Sequence, residues 1–174
     1  SWVLLGAYVV VGSLLIVILA YDIRHTIIPN PFVYTFNAIA FLLLFVSYTS
    51  SGVQFVLPAL SSVVAGPFLF FPFFALWLYS HGQWLGLGDG KLVVGIGWLL
   101  GMTGGISAVL YAFWIGAIVS IFLMLLQRMG TTHLEESRKR FTMKSEIPFA
   151  PFLIVGYLIV FFFGIDVVRE LMIF

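Results

Sequence analysis

Between Arg24 and Asp89 the chain carries no Asp, Glu, Lys or Arg, and the same is true from Leu92 to Gln127. Residues 2–21 are equally bare. Segments of this kind cannot build a soluble domain, because each surface helix or strand needs a polar face. Only 9% of the residues are charged, against roughly 25% in an ordinary soluble domain. Disorder is excluded by the same numbers, since it requires low hydrophobicity and high charge, and 62% of this chain is hydrophobic. The solvent is therefore a lipid bilayer. The few charged residues become the informative ones, because a charge beside lipid is costly and tends to be functional.

A membrane-crossing helix needs about 20 mostly apolar residues. Residues 2–20 supply a first span, which lacks the basic n-region and small-x-small site of a signal peptide. Ser1 in place of Met suggests an incomplete start. Residues 31–48 form a second span, with Pro at its first turn, and 49–52 an uncharged turn. Residues 53–79 form a third, expected to kink or break at Pro58, Pro67 and Pro72. The run 92–127 is too long for one crossing and divides best at Gly101-Met102-Thr103-Gly104-Gly105, giving spans four and five. A sixth occupies 148–164. The alternation puts 21–30, 81–91 and 128–147 on one side. These hold Arg24, Lys91, Arg128, Arg138, Lys139, Arg140 and Lys144, and leave only Arg169 opposite. The positive-inside rule makes that side cytoplasmic. Residues 1–174 thus read as one all-α polytopic bundle in the cell membrane. A net charge of +1 offers nothing to nucleic acid. With no Cys there is no disulfide or Cys-based zinc site. His25, His81 and His133 lack metal-ligand spacing.

Two acids stand at span ends on the cytoplasmic side. Asp22 closes the first span. Asp89 opens the fourth, which at 1.5 Å per residue covers only about half the hydrocarbon unless it begins near Leu87. Carboxylates brought close can share one proton, because like charges at short range cannot both ionise. One then protonates a substrate carbonyl while the other activates water, as in aspartic proteases. No Cys or His-Glu-x-x-His set competes, and no motif supports a Ser/Lys or Ser/His pair. Each acid also has a simpler role. Asp22 could pair with Arg24 or His25 at a helix end, and Asp89 could satisfy free amides at a helix start. Gly86, Gly88 and Gly90 around Asp89 favour more than a cap, since they permit close approach of another segment. Glycine-rich phosphate binding lacks both the P-loop spacing and a preceding strand.

Asp22-Ile23-Arg24 followed by Ile28-Pro29-Asn30 resembles the first active-site motif of the type IV prepilin peptidases and archaeal preflagellin peptidases. Gly86-Leu87-Gly88-Asp89-Gly90-Lys91 resembles their GxGDxK motif. Pro148-Phe149-Ala150-Pro151-Phe152-Leu153 resembles the segment that opens their last span. The three occur in family order across nearly the whole chain. The resemblance implies a GxGD-type membrane aspartic endopeptidase with Asp22 and Asp89 as catalytic pair and Gly86, Gly88, Lys91 and Arg24 in support. Its substrate would be a prepilin-like membrane protein, whose short basic leader is cut at the cytoplasmic face. Proteolysis needs no cofactor or metal. Many bacterial members also methylate the new N-terminus with S-adenosylmethionine, using an additional N-terminal region that often carries zinc-binding CxxC pairs. That region is not in this sequence, so either the form is minimal or the region lies upstream of Ser1, and S-adenosylmethionine enters only if such a region exists.

Two other readings remain open at this point. Tyr21-Asp22 and residues 85–89 also resemble the YD and LGLGD motifs of presenilin-like proteases. That group places Pro-Ala-Leu after both aspartates, whereas here Pro58-Ala59-Leu60 lies between them and reads as a helix start. A small proton- or cation-coupled transporter would use the same acids as ion sites, but both lie near one interface and no inverted repeat is visible. Lys91 could tune Asp89, bind lipid phosphate or serve as a basic anchor. Arg138-Lys139-Arg140 suits anionic headgroups, and Gly95, Gly97 and Gly101 suit close helix packing. The oligomeric state does not follow from the sequence.

Overall fold

The computed structural model describes residues 2–49, 52–83, 85–128 and 148–171. Its elements are α1 (Trp2–His25), α2 (Asn30–Leu43), β1 (Val46–Thr49), β2 (Gly52–Phe55), α3 (Leu60–Ser80), α4 (Leu87–Arg128), α5 (Ala150–Phe163) and α6 (Val167–Leu171). His133, Glu135, Glu136, the Arg138-Lys139-Arg140 run, Lys144 and Glu146 lie outside the described residues.

α1, α3 and α4 are long and apolar enough to cross a membrane, whereas α2 and α5 are apolar but have 14 residues each. Fourteen residues rise about 21 Å, short of the roughly 30 Å hydrocarbon core. The helix expected over 31–48 is corrected in its bounds, which are Asn30–Leu43. It ends at Leu43, and the chain enters an antiparallel hairpin in which Val46 faces Phe55. β-branched and aromatic residues suit a strand surface, and the Phe45 and Phe55 rings stack at 5.6 Å.

The third span does break at Pro58, since residues 52–55 form β2 and the helix begins only at Leu60, but no break follows at Pro67 or Pro72. α3 begins just after Pro58 and Ala59 and runs continuously through Pro67 and Pro72. Pro67 has no N–H to give the carbonyl four residues back, that of Val63. The Trp98 indole N–H of α4 donates to this same oxygen at 2.9 Å. Gly66 makes the approach possible, since a Cβ there would lie 2.7 Å from Trp98 Nε1. The backbone bond lost to proline is thus replaced from a neighbouring helix, as a bilayer requires.

α4 organises the bundle, packing against α2, α3, α5 and α6, while α1 packs against α2 and α5. Straight, its 42 residues would reach about 63 Å. Gly101 prevents this with φ 75° and ψ −174°. A Cβ on Gly105 would lie 3.3 Å from Gly97 Cα, although eight residues of straight helix span about 12 Å. The chain therefore doubles back at Gly101, where the sequence divides spans four and five. The reading of Gly101 as a packing glycine is corrected: a Cβ there would meet nothing within 4 Å, and its use is the positive φ. Gly95 does admit Phe36 and Asn37 of α2, and Gly97 admits Leu69 and the Ala65 backbone of α3.

At the end of α5, Asp166 ties the tail to α4. The fully buried Ser107 hydroxyl donates to Asp166 Oδ1 at 2.6 Å and accepts from the Val168 N–H at 3.2 Å. The Arg169 N–H donates to Asp166 Oδ1 at 3.1 Å, capping α6. Partial burial pushes the Asp166 carboxyl up, but hydrogen bonds from Ser107, Thr103, Arg169 and Val168 outweigh it and hold the group below its ordinary value.

Two outcomes follow for stability. Trp98→Phe leaves the Val63 oxygen without its donor and lowers stability by about 1–3 kcal/mol, read as a lower thermal midpoint in detergent. A carboxyl whose folded pKa is depressed stabilises above its unfolded pKa and loses that contribution as pH falls through the folded value. The stability difference between the wild type and Asp166→Asn is therefore constant near neutrality and shrinks below about pH 4, as denaturation at several pH values would record.

Candidate active site

The buried residues of α1 are Val11, Leu15, Ile18 and Asp22. Steps of three and four residues keep them on one helix face, so the periodicity that buries the apolar side chains also carries Asp22 inward, to 4% exposure. Arg24, two positions further, points away from that face and is exposed. His25 stacks on Tyr21 at 4.4 Å. The pairing of Asp22 with Arg24 or His25 is corrected, and Arg24 stands outside the site. Asp22 instead accepts a hydrogen bond from the backbone N–H of Ala150, at the start of α5. Its Oδ2 is buried without a partner among the described residues.

Asp89 is the third residue of α4 and 7% exposed. Its carboxylate accepts from the Gly86 backbone N–H, and its own N–H donates to the Gly86 carbonyl at 3.2 Å. An acid at the third helical position that satisfies the residue before the helix is half of a capping box. The cap is thus present, but it does not exhaust the residue, because Asp22 lies within Coulombic reach of Asp89.

The glycines explain how the two segments meet. A Cβ on Gly88 would lie 2.8 Å from Ile28 Cβ, so the loop after α1 rests directly on the first turn of α4. On the other side, a Cβ on Gly90 would lie 3.1 Å from Phe70 and 3.2 Å from Phe73 Cβ of α3. Gly86 contributes its backbone N–H, since a Cβ there would make only ordinary contact with Asp89 Oδ2 at 3.4 Å.

Lys91 points away from Asp89, as a helical residue two positions on must. Its ammonium donates to Asn30 Oδ1 at 2.8 Å and sits 5.1 Å from the centre of the Tyr34 ring. Its carbonyl accepts from Asn37 Nδ2 at 2.9 Å. The residue fastens α4 to α2 rather than tuning the carboxylate. Asn37 and Ala150 carry no individual signal in the sequence. Asn37 could be noticed only as an amide within an apolar helix, and Ala150 acts through its backbone.

A cavity of about 300 Å³ comparable to small ligand sites is lined by Tyr8, Leu43, Trp98 and Gly101, among others. Tyr8 lies fourteen residues before Asp22 on α1, about 21 Å along the helix, so this cavity belongs to the other end of the bundle. Among the described residues, no group of three or more His, Asp or Glu side chains gathers as a metal site would require.

Residues 9–121 match the sequence pattern of the type IV leader peptidase family. The chain belongs to that family. The matched stretch holds Asp22, Asp89 and the contacts between their segments, and ends before α5. Comparison with curated proteins and with solved structures returned no match.

Gly88 offers a direct check on this peptidase's geometry. Gly88→Ala forces Ile28 and its loop outward, with an overpacking cost of about 1–3 kcal/mol. The expected result is reduced peptidase activity with retained helical content. Adding Ile28→Ala restores part of that activity, as a double-mutant cycle on cleavage rate would show.

Proposed function

We propose that this peptidase is a membrane aspartic endopeptidase that removes the short basic leader of prepilin-like or preflagellin-like proteins at the cytoplasmic face. The observation that carries the reading is the burial of two carboxylates, Asp22 and Asp89, within electrostatic reach of each other and on elements docked through family motifs. In the proposed reaction one carboxyl is protonated and donates to the scissile carbonyl oxygen. The other is ionised and takes a proton from the attacking water. The tetrahedral intermediate then collapses, the amine of the hydrophobic segment accepts a proton, and the leader leaves as a carboxylic acid.

The proposed membrane arrangement has six crossings, in which the two halves of α4 count separately and the short α2 and α5 complete the set. Asp22 near the end of α1 and Asp89 at the start of α4 then share one depth. The basic residues around them support a cytoplasmic position for that depth by the positive-inside rule. A substrate with one hydrophobic helix and a basic leader held in the cytoplasm presents its junction at the same level.

The test is cleavage of a prepilin-like substrate by the reconstituted protein. Asp22→Asn and Asp89→Asn each keep size and burial but cannot exchange a proton, and each is expected to lower cleavage by at least about a thousandfold, within the range lost when a catalytic group is removed. Cleavage at the wild-type rate by either folded variant removes that aspartate from the mechanism.

A further inference from the structure

The start of α5 is built so that one backbone donor is left for Asp22. Pro151 has no N–H. Phe152 and Leu153 give theirs to the Phe149 carbonyl, at 3.0 and 3.2 Å. Ala150, fully buried, gives its N–H to the Asp22 carboxylate. The carboxylate thus lies at the N-terminus of a 14-residue helix, where the unsatisfied amides and the macrodipole favour an anion. Asp22 is only 4% exposed, and Oδ2 has no partner among the described residues. One side of the carboxylate is held while the other meets no donor among the described residues.

The donor is itself anchored. Phe149, the residue before Ala150, packs its ring 4.9 Å from Phe113 of α4 and 6.2 Å from Phe73 of α3. Phe73 also lies against Gly90, next to Asp89. An aromatic cluster therefore joins the amide that holds Asp22 to the helix turn that carries Asp89.

We infer that the proline-flanked start of α5 is a positioning element for the reaction, in which the Ala150 backbone N–H orients Asp22 and leaves Oδ2 for the water and the shared proton. This rests on the dyad reading of Asp22 and Asp89. The amide touches no substrate atom and acts through Asp22.

The test replaces the amide without changing the side chain. Lactic acid in place of Ala150, introduced by nonsense suppression, substitutes an ester oxygen for the N–H. Phenyllactic acid in place of Phe152 removes a helix N–H of the same turn that does not face Asp22. With a prepilin-like substrate, the position-150 ester is expected to lower kcat about tenfold or more, the scale of a hydrogen bond to a charged group. KM should stay within about twofold, as for an interaction that acts on the chemical step. The position-152 ester should keep a kcat near wild type. A wild-type kcat for the position-150 ester overturns the inference, as does an equal loss from both esters, which would mean general fraying of α5. Asp22→Asn is measured alongside. If it still cleaves, the dyad reading fails and takes the inference with it. If it is inactive while the position-150 ester is unimpaired, only the inference fails.

Discussion

Two carboxylates kept from water within reach of each other are costly to hold, and the bundle is arranged around holding them. Each has one backbone N–H, from Ala150 for Asp22 and from Gly86 for Asp89. Neither has an ion-pair partner among the described residues to quench its charge. Buried charges ordinarily shift, pair or move to the surface. Here the supporting contacts prevent relaxation: Ile28 rests on Gly88, Lys91 reaches Asn30, and Asn37 holds the Lys91 carbonyl. The approach of the loop after α1 to α4 depends on the missing Cβ of Gly88 as much as on the bonds.

The same logic extends away from the acids. α4 can serve as the hub for four other helices only because Gly101 lets it double back. α3 can line that hub with a proline in its interior only because Trp98 supplies the donor that Pro67 lacks. At the tail, Ser107 and Asp166 satisfy each other and the first amides of α6. In each case a backbone or side-chain group that cannot rely on water finds a partner on another helix. This is the constraint the bilayer imposes on every polar atom.

Much of the site was legible in residue order. Asp22 falls on the inward stripe of α1 by its spacing from Ile18, Leu15 and Val11, and Asp89 sits in a glycine setting that a simple cap would not need. The division of the long apolar run fell at Gly101 because glycine interrupts a helix there. Other features resisted. The end of the second span is not legible, because residues 44–48 are as apolar as the helix before them, and hydropathy does not distinguish strand from helix in so short a run. Lys91 stands two residues from Asp89 in sequence, but helical geometry turns it towards α2.

The sequence by itself determined the solvent, the membrane character and the two acids, because these depend on composition and on local periodicity. It could not decide which groups those acids would meet. The Ala150 amide has no side-chain signature, Asn37 is one amide in an apolar helix, and Trp98 answers a proline 31 residues earlier in the chain. Such partners are chosen by how helices distant in sequence pack, and only the tertiary structure brings a carboxylate on α1 to the first turn of α5 and a lysine on α4 to an asparagine on α2.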